Sequence, residues 1–370
     1  MVNYGTKMIE QTNRTVFVVG AGASHEFGLP VGTTLQDQIS HQTKLNVQNS
    51  SISAFSHNGA FVDSLPAAVG LQRYTALDRL RLARKSLHIS AGVKHAASID
   101  NYLHAQRSDA ELVAIGKLAI ATCILRAEQD SSLAYSANGV GFKGRQSSAL
   151  KTEPHNSWLG LLVKALSAGR NFTAFCKALE TITFVCFNYD RCIERYFHVA
   201  VSLIYPDIEF NISELENALN IIHPYGSLGV LAHEQGVHGT FGKIADSNFL
   251  ILAAQGIRTF TEGMESDVRV RIGNAFSGAK SAIFLGYGFI SVNDRFLFDE
   301  SPFEIRTVLG TSYGISDERS ASVAERLMST CMMWDTPHDG WQQRGHPQLR
   351  NEGCADLLQR FSHLVEEIGR

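Results

Sequence analysis

The stretch from Val16 to Gly32, VFVVGAGASHEFGLPVG, decides the fold of this chain. Its first four residues are apolar and mostly β-branched, which is typical of a short buried strand. Gly20 and Gly22 follow at a spacing that allows a sharp turn and lets a phosphate approach free backbone N–H groups. The stretch therefore predicts a strand and a phosphate-binding turn, although a tight turn without a ligand has the same signature.

The turn departs from the G-x-G-x-x-G fingerprint of dinucleotide-binding enzymes, because His25 stands where the third glycine belongs. Such enzymes also hold the ribose with an acidic residue about 20 residues further on, at the end of a second strand. Asp37 comes too early for that role and is expected on the following helix. These differences disfavour a dehydrogenase that transfers hydride.

The bulk composition is that of a globular protein. The chain has 370 residues, of which 44% are hydrophobic and 19% are charged, and its net charge is -3. A chain of this length buries a large core, and its charge gives no basic field to attract nucleic acid or an anionic membrane. The six cysteines form no C-x-x-C pair, which fits a reducing compartment. With no signal peptide or long apolar run in view, we expect a cytoplasmic protein.

Three apolar stretches predict central strands, namely Val16–Val19, Ile182–Phe187 and Ser281–Leu285. Each ends in glycine or polar residues: GAGAS at 20–24, NYD at 188–190 and GYGF at 286–289. Strands separated by helical segments are typical of an open parallel sheet covered on both faces. We therefore expect an α/β protein with a Rossmann-like, doubly wound parallel sheet and a ligand site beyond the carboxyl ends of its strands.

The spacing of these strands predicts a divided core. Residues 14-40 and 181-370 are expected to form the Rossmann-like core, and residues 41-180 an inserted helical subdomain with flexible loops. Helical spacing of apolar residues predicts the following helices: Thr33–Ile39, Leu71–Leu87, Ala110–Ala127, Trp158–Leu179, one beginning near Arg191, others within Phe249–Phe276, and Cys354–Ile368.

Less regular segments complete the prediction. Residues 41–69 are rich in Ser, Asn and Gln and are expected to form a long irregular surface segment. Short strands are expected at Val201–Ile204, Phe303–Leu309 and Cys331–Trp334.

Taken together and in order, the motifs GAGAS, FGLPVG, FNYD, HPYGSLG and GYGF resemble the sirtuin superfamily, and most closely its prokaryotic sirtuin-like branch. The resemblance implies that the first loop holds the phosphates of NAD, that Asn188 and Asp190 line the nicotinamide ribose, and that His223 is catalytic. It implies NAD-binding residues drawn from all the motifs: Gly20, Ala21, Gly22, Ala23, Ser24, Pro30, Asn188, Asp190, Ser227, Gly286, Tyr287 and Gly288.

The departures from the sirtuin pattern are informative. Residues 228-280 contain no cysteine, so the four-cysteine zinc module of sirtuin deacylases is missing and no metal is expected. The G-I-P-D-F-R signature becomes GLPVGT, and Pro224 rather than glycine follows His223. These features resemble the branch that hydrolyses NAD in bacterial anti-phage defence. The resemblance implies a homo-oligomer and a regulatory partner, such as a HerA-type ATPase or a short Argonaute-type protein.

The residue types fit cleavage of the nicotinamide–ribose bond, which passes through an oxocarbenium-like centre. Nicotinamide is a good leaving group, so the reaction mainly needs a positioned base and a group that orients water and the ribose hydroxyls. The imidazole of His223 suits the first task, and the amide of Asn188 suits the second. Asp190 is a candidate to hold a ribose hydroxyl. Main-chain N–H groups of residues 21–24, with the Ser24 hydroxyl, are candidates to bind the diphosphate.

Structural alternatives stay open for these residues. Asn188 and Asp190 are also good caps for the helix that follows them, and His223 is also compatible with an ordinary turn. Glu194 is expected to pair with Arg191 or Arg195, or to support the loop. Two other functions remain in competition with NAD hydrolysis: a lysine deacylase that dispenses with zinc, and a non-catalytic module that binds NAD or ADP-ribose to control assembly.

Overall fold

A computed structural model of the chain shows a six-stranded, all-parallel sheet with helices on both faces. It describes residues 14–48, 51–54, 59–136, 141–142, 153–206, 212–232, 239–244, 246–263, 266–298, 302–331, 334–335, 343–344 and 346–368. The predicted α/β class with a doubly wound parallel sheet is confirmed.

The strands form one large sheet and two small antiparallel pairs, which are β2–β3 and β8–β9. Their bounds are β1 Arg14–Val19, β2 Leu45–Gln48, β3 Ser51–Ala54, β4 Ile182–Cys186, β5 Asn220–Ile222, β6 Ala279–Leu285, β7 Thr307–Thr311, β8 Trp334–Asp335, β9 Gln343–Arg344 and β10 Gln348–Arg350.

The order of strands in the large sheet is β10-β7-β6-β1-β4-β5. The chain moves from β1 outward through β4 and β5, then returns to β6 on the other side of β1 and continues outward through β7. This is the strand order of the Rossmann fold, in which the reversal opens a crevice beyond the carboxyl ends of the two central strands. Here the reversal of strand order lies between β1 and β6.

The helices are α1 Ala21–His25, α2 Gly32–Thr43, α3 Gly59–Ala68, α4 Ala76–Gly92, α5 Ile99–Ala105, α6 Ala110–Asp130, α7 Trp158–Ser167, α8 Phe172–Leu179, α9 Cys192–Ile204, α10 Ile212–Ala218, α11 Ser247–Gln255, α12 Phe260–Gly263, α13 Ser266–Ser277, α14 Ser291–Phe298, α15 Asp317–Cys331, α16 Cys354–Arg360 and α17 Ser362–Glu366. In the described part of the chain, none of them combines the length and apolarity needed to cross a bilayer.

Alternate side chains of β1 enter different hydrophobic layers, as the two-residue period of a strand requires. Val16 and Val18 pack in the layer that contains α2 to α6, α11 and α13 to α15. Phe17 and Val19 pack in the layer formed by α7 to α10, α16 and α17. Helices from residues 41-180 therefore contribute to both layers, and α7 and α8 cover one face of the central sheet.

The expectation for residues 41–69 is wrong, because this segment contains the hairpin β2–β3 and helix α3. Leu45 begins the hairpin and is buried, and Phe61 and Leu65, one helical turn apart, are buried on one side of α3. A few well-spaced apolar residues are enough to order a segment when a neighbouring core receives them. The polar composition of the segment hides this signal.

Two of the predicted short strands are also wrong. Val201–Ile204 is the last turn of α9, where Phe197, Ala200 and Val201 are buried at helical spacing. Cys331 is the last residue of α15 and Trp334 is the first residue of β8, and the two residues between them lie outside the described part of the chain. In both places β-branched or aromatic residues resemble a strand in composition, but tertiary burial sets the helical period.

Other boundaries shift without changing the type of element. The strand expected over Phe303–Leu309 begins at Thr307. The helix expected over Trp158–Leu179 is two helices, separated by a turn in which Gly169 has a φ of +69°. The closing helix is likewise divided into α16 and α17.

Candidate functional site

The loops after β1 and β6 touch through their backbones. Gly20 N–H donates to Leu285 O over 2.9 Å, and Gly22 N–H donates to Gly286 O over 3.1 Å. A Cβ on Gly286 would lie 2.0 Å from the backbone N of Ala23, and Gly286 has a φ of +58°, which favours glycine. The three glycines are therefore required by the close approach of the two central loops.

The contact between the two loops engages some of the backbone N–H groups that were predicted to bind a diphosphate. Among the N–H groups of residues 21–24, that of Gly22 is donated to Gly286 O, and that of Ala23 is donated to Gly20 O over 3.0 Å. Helix α1, which follows the glycine turn, is only five residues long.

Ser24 joins the first loop to the NYD loop through two side-chain hydrogen bonds. Its hydroxyl accepts from Asn188 Nδ2 over 2.8 Å and donates to Asp190 Oδ1 over 3.1 Å. Asn188 Nδ2 also donates to Gly20 O over 3.0 Å. All three side chains are buried. Asn188, Ser24 and Asp190 therefore form a continuous chain of hydrogen bonds, which we call the polar relay, at the carboxyl ends of β1 and β4.

The capping alternative is realised by Asp190 alone. Its Oδ1 accepts from the backbone N–H of Cys192, the first residue of α9, over 3.1 Å, while the Asn188 side chain turns toward the first loop. Burial raises the pKa of the Asp190 carboxyl, and the hydrogen bonds from Cys192 and Ser24 oppose this shift only in part. Asp190 thus starts a helix and also places a carboxyl group, at an energetic cost, beside the predicted site.

His223 follows β5 and lies against the same loop. Its Nδ1 is 3.1 Å from Asn188 O, and because a carbonyl oxygen only accepts, Nδ1 carries the proton and Nε2 is the titrating atom. Leu228 N–H donates to Tyr189 O over 3.1 Å, which ties the HPYGSLG loop to the NYD loop a second time. The His223 side chain therefore contacts the backbone of Asn188, whereas the Asn188 side chain is directed to the first loop.

The first of the two expectations for Glu194, an ion pair with Arg191 or Arg195, is wrong. Its Oε1 lies 3.4 Å from Nε2 of His223, on the loop after β5, which fits the second expectation that it supports a loop. Arg191 is bound by Glu128, and Arg195 donates to Leu133 O and stacks on the ring of Tyr135.

The ion pair of Arg191 and Glu128 is fully buried and anchors the NYD loop to α6. Arg191 Nη2 donates to Glu128 Oε2 over 2.6 Å, and the backbone N–H of Arg191 donates to Glu128 Oε1 over 3.1 Å. Both side chains have an exposed fraction of 0%. The sequence does contain a signal for this contact, since Glu128 continues the buried face of α6 set by Leu118, Ala121 and Leu125.

A tyrosine occupies the centre of three strand-end motifs, and each hydroxyl bonds to a helix. Tyr189 donates to Asp100, in the first turn of α5. Tyr225 donates to Asn293 Oδ1 over 2.7 Å, and Tyr287 donates to Asp294 Oδ1 over 2.8 Å, both on α14. These contacts tie the three loops to α5 and α14. The repeated central tyrosine of NYD, PYG and GYG is the signal by which they could have been found.

Tyr287 and its neighbours pack into an aromatic cluster. The ring of Tyr287 lies 5.2 Å from that of Phe187 and 5.1 Å from that of Phe289, between ring centroids. Phe289 has a φ of +49°, a strained conformation for a bulky residue, and it is buried. The Tyr287 side chain is thus turned inward, and the backbone of this loop is what faces the glycine turn.

The remaining predicted residues lie around this centre. Ala21 is half-buried at the start of α1, and Pro30 is buried just before α2. Ser227 is half-buried on the loop after β5. Gly288 is exposed, and its carbonyl accepts from Arg319 Nη2 over 3.1 Å. Within the described residues, no group of three or more His, Cys, Asp and Glu side chains is arranged to hold a metal ion.

The comparisons with known proteins leave the function to be argued from the site. The sequence matches no protein-family model. The search of the curated proteins finds no match either.

Proposed function

We propose that this chain hydrolyses NAD at the bond between nicotinamide and ribose, giving nicotinamide and ADP-ribose. The observation that carries the proposal is that Asn188 and Asp190 are hydrogen-bonded to the first loop through Gly20 and Ser24, and that His223 Nδ1 contacts Asn188 O, at the carboxyl ends of the neighbouring strands β1, β4 and β5. Sheets of this type bind nucleotides beyond the carboxyl ends of their strands. The order of the sequence motifs resembles that of sirtuin-like proteins, and this resemblance is the reason for proposing NAD as the dinucleotide.

The hydrogen bonds of the polar relay determine which of its atoms remain available to contact a substrate. Asn188 Nδ2 is engaged by Gly20 O and Ser24 Oγ, so Asn188 offers its Oδ1 to a ribose hydroxyl or to water. The buried Asp190 carboxyl contributes negative charge near an anomeric carbon that becomes positive in the transition state. Since both groups are fixed by hydrogen bonds before a substrate binds, little reorganisation accompanies the reaction.

In the proposed reaction, the C–N bond between the anomeric carbon and nicotinamide breaks, and nicotinamide leaves with the bonding electrons. Water then forms a bond to the anomeric carbon and loses one proton, which His223 Nε2 accepts. Burial lowers the pKa of His223, but neighbouring Cys186 and Glu194 outweigh it and hold the pKa well above the ordinary value. Hydrolysis should therefore accelerate as the pH rises and deprotonates Nε2.

The biological setting that we propose follows the same resemblance. An enzyme that consumes NAD must be kept inactive until it is needed, so we propose a regulated effector of anti-phage defence, controlled by self-assembly or by a partner protein. A HerA-type ATPase and a short Argonaute-type protein are the partners that the resemblance favours.

Turnover of NAD by purified protein, alone and with a candidate partner, tests the proposal. We expect release of nicotinamide and ADP-ribose, and a loss of at least about 100-fold in Asn188→Ala and His223→Ala, since these remove the orienting amide and the base. Matched controls are Asn220→Ala and His95→Ala, at exposed positions of β5 and of the turn after α4. Unchanged turnover in both site variants would reject the mechanism, and saturable NAD binding without product would favour a binding module.

A further inference from the structure

We infer that Glu194 is a positioning residue for His223, which holds the imidazole ring in place and sets the pH at which Nε2 gains and loses its proton. The inference deepens the proposed function and rests on it for the catalytic meaning of His223. The geometry of the pair is independent of the substrate.

The imidazole of His223 is held from two directions. On one side Nδ1 donates to Asn188 O over 3.1 Å, and on the other Nε2 lies 3.4 Å from Glu194 Oε1. The backbone carbonyl fixes the tautomer, so the carboxylate faces the nitrogen that titrates. This arrangement differs from that of a carboxylate bound to Nδ1, in which the second nitrogen is left to face the substrate.

Two buried atoms of the pair have no hydrogen-bond partner. They are His223 Nε2 and Glu194 Oε2. Most buried polar atoms in proteins are hydrogen-bonded, so two neighbouring exceptions mark a place where a polar group is expected. The attacking water, or a hydroxyl of the sugar, would give both atoms a hydrogen-bond partner.

Two titratable side chains face the imidazole, Cys186 from the end of β4 and Glu194 from α9. Burial raises the pKa of the Cys186 thiol, and Cys186 in turn raises the pKa of His223. Glu194 also lies within the field of Arg191 on its own helix. The guanidinium of Arg191 is paired with Glu128, so Glu194 is the carboxylate that faces His223 and stabilises its protonated form.

The test is an NMR titration of the His223 ring in the protein without substrate, assigned by the signal that disappears in His223→Gln. An opposite charge at this distance raises the pKa of a histidine by about 1–3 units. We therefore expect Glu194→Gln to lower the pKa of His223 by about one unit or more. Glu194→Asp should retain part of the shift, and it preserves the test if the glutamine variant does not fold. Glu180→Gln, an exposed residue before the amino end of β4, is the matched control and should change nothing.

The same variants are then compared in NAD hydrolysis. The rising limb of kcat/KM against pH should move to lower pH in Glu194→Gln by the amount seen in the titration. If His223 titrates at the same pH with and without the Glu194 carboxylate, the inference is wrong. If the titration shifts but neither protein cleaves NAD, the pairing stands and the proposed function fails.

Discussion

Asn188 Nδ2 and Ser24 Oγ share a 2.8 Å hydrogen bond across 164 residues of sequence. Both side chains are buried, and each has a second partner in the site, Gly20 O for Asn188 and Asp190 for Ser24. The bond therefore joins the loops of two neighbouring parallel strands, β1 and β4, at their carboxyl ends. Its consequences for stability and for activity can be separated by mutation.

Replacing Ser24 by alanine should lower both the stability and the activity of the protein. The variant removes one of the two hydrogen bonds of Asn188 Nδ2 and one of the two of Asp190 Oδ1, which costs about 1–3 kcal/mol of the free energy of unfolding. The Asn188 amide is then held by Gly20 O alone, so NAD turnover should fall more than stability alone explains. Ser64→Ala is the matched control, because Ser64 is buried but bonds only to Ala60 O within its own helix. Urea unfolding and NAD turnover measure the two effects, and equal behaviour of both variants would contradict the role of the polar relay.

Replacing Gly286 by alanine should separate the two central loops. The new Cβ meets the Ala23 backbone at 2.0 Å, and the left-handed φ of +58° adds strain for any residue with a side chain. We expect a loss of at least about 3 kcal/mol of the free energy of unfolding. Gly32→Ala has no atom within 4 Å of its Cβ and should change stability by less than about 1 kcal/mol. Thermal and urea unfolding of the two variants decide between a tight contact and an adaptable one.

Removing the buried charge of Glu128 should strongly destabilise the chain. In Glu128→Gln, the Arg191 guanidinium remains buried without its counter-charge, which costs about 3–5 kcal/mol. The exposed pair of Lys94 and Asp37 provides the control, and Asp37→Asn should cost no more than about 1 kcal/mol. The comparison is made by urea unfolding, and similar losses in both variants would show that burial of the Arg191–Glu128 pair carries no special penalty.

Stability should depend on pH through Asp190. Because burial raises its pKa in the folded state, the folded protein keeps a proton that the unfolded chain has already released. The contribution of Asp190 to stability is therefore present below its ordinary pKa and is lost as the pH rises through the raised value. Asp190→Asn keeps an acceptor for Ser24 and Cys192 but removes the charge, so its stability relative to the natural protein should be greater at neutral pH than at about pH 4.

Urea unfolding at both ends of this pH range measures the effect of Asp190, and NAD turnover of the same variant should fall. A difference in stability between the two proteins that is the same at both pH values would mean that Asp190 titrates normally. A gain in stability with a loss of activity is the behaviour expected of a residue kept for function.

Much of the fold could be predicted from local patterns. Three features can be recognised from a few consecutive residues each. They are the strand and glycine turn at Val16–Gly22, the NYD motif after a second apolar strand, and the GYGF motif after a third. Parallel strands bring their carboxyl ends to one edge of the sheet, so the proximity of the NYD and HPYGSLG loops also follows from sequence reasoning. The hairpin and α3 within residues 41–69 are not predicted from the sequence. Their few buried residues, such as Phe61, are ordered by packing against other parts of the core, which a local pattern does not show.

The amino-acid sequence by itself determined the class of the sheet, the positions of its central strands and the residues at their ends, because apolar periodicity and glycine turns are local properties of a chain. The pairing of polar side chains could be read only from the tertiary structure. Ser24 contacts Asn188, Glu128 contacts Arg191, and Glu194 contacts His223. Each of these polar groups had several partners available in sequence. The choice among them is made by burial, since a charge or a hydrogen-bonding group removed from water must bond to whichever group the packed core places beside it.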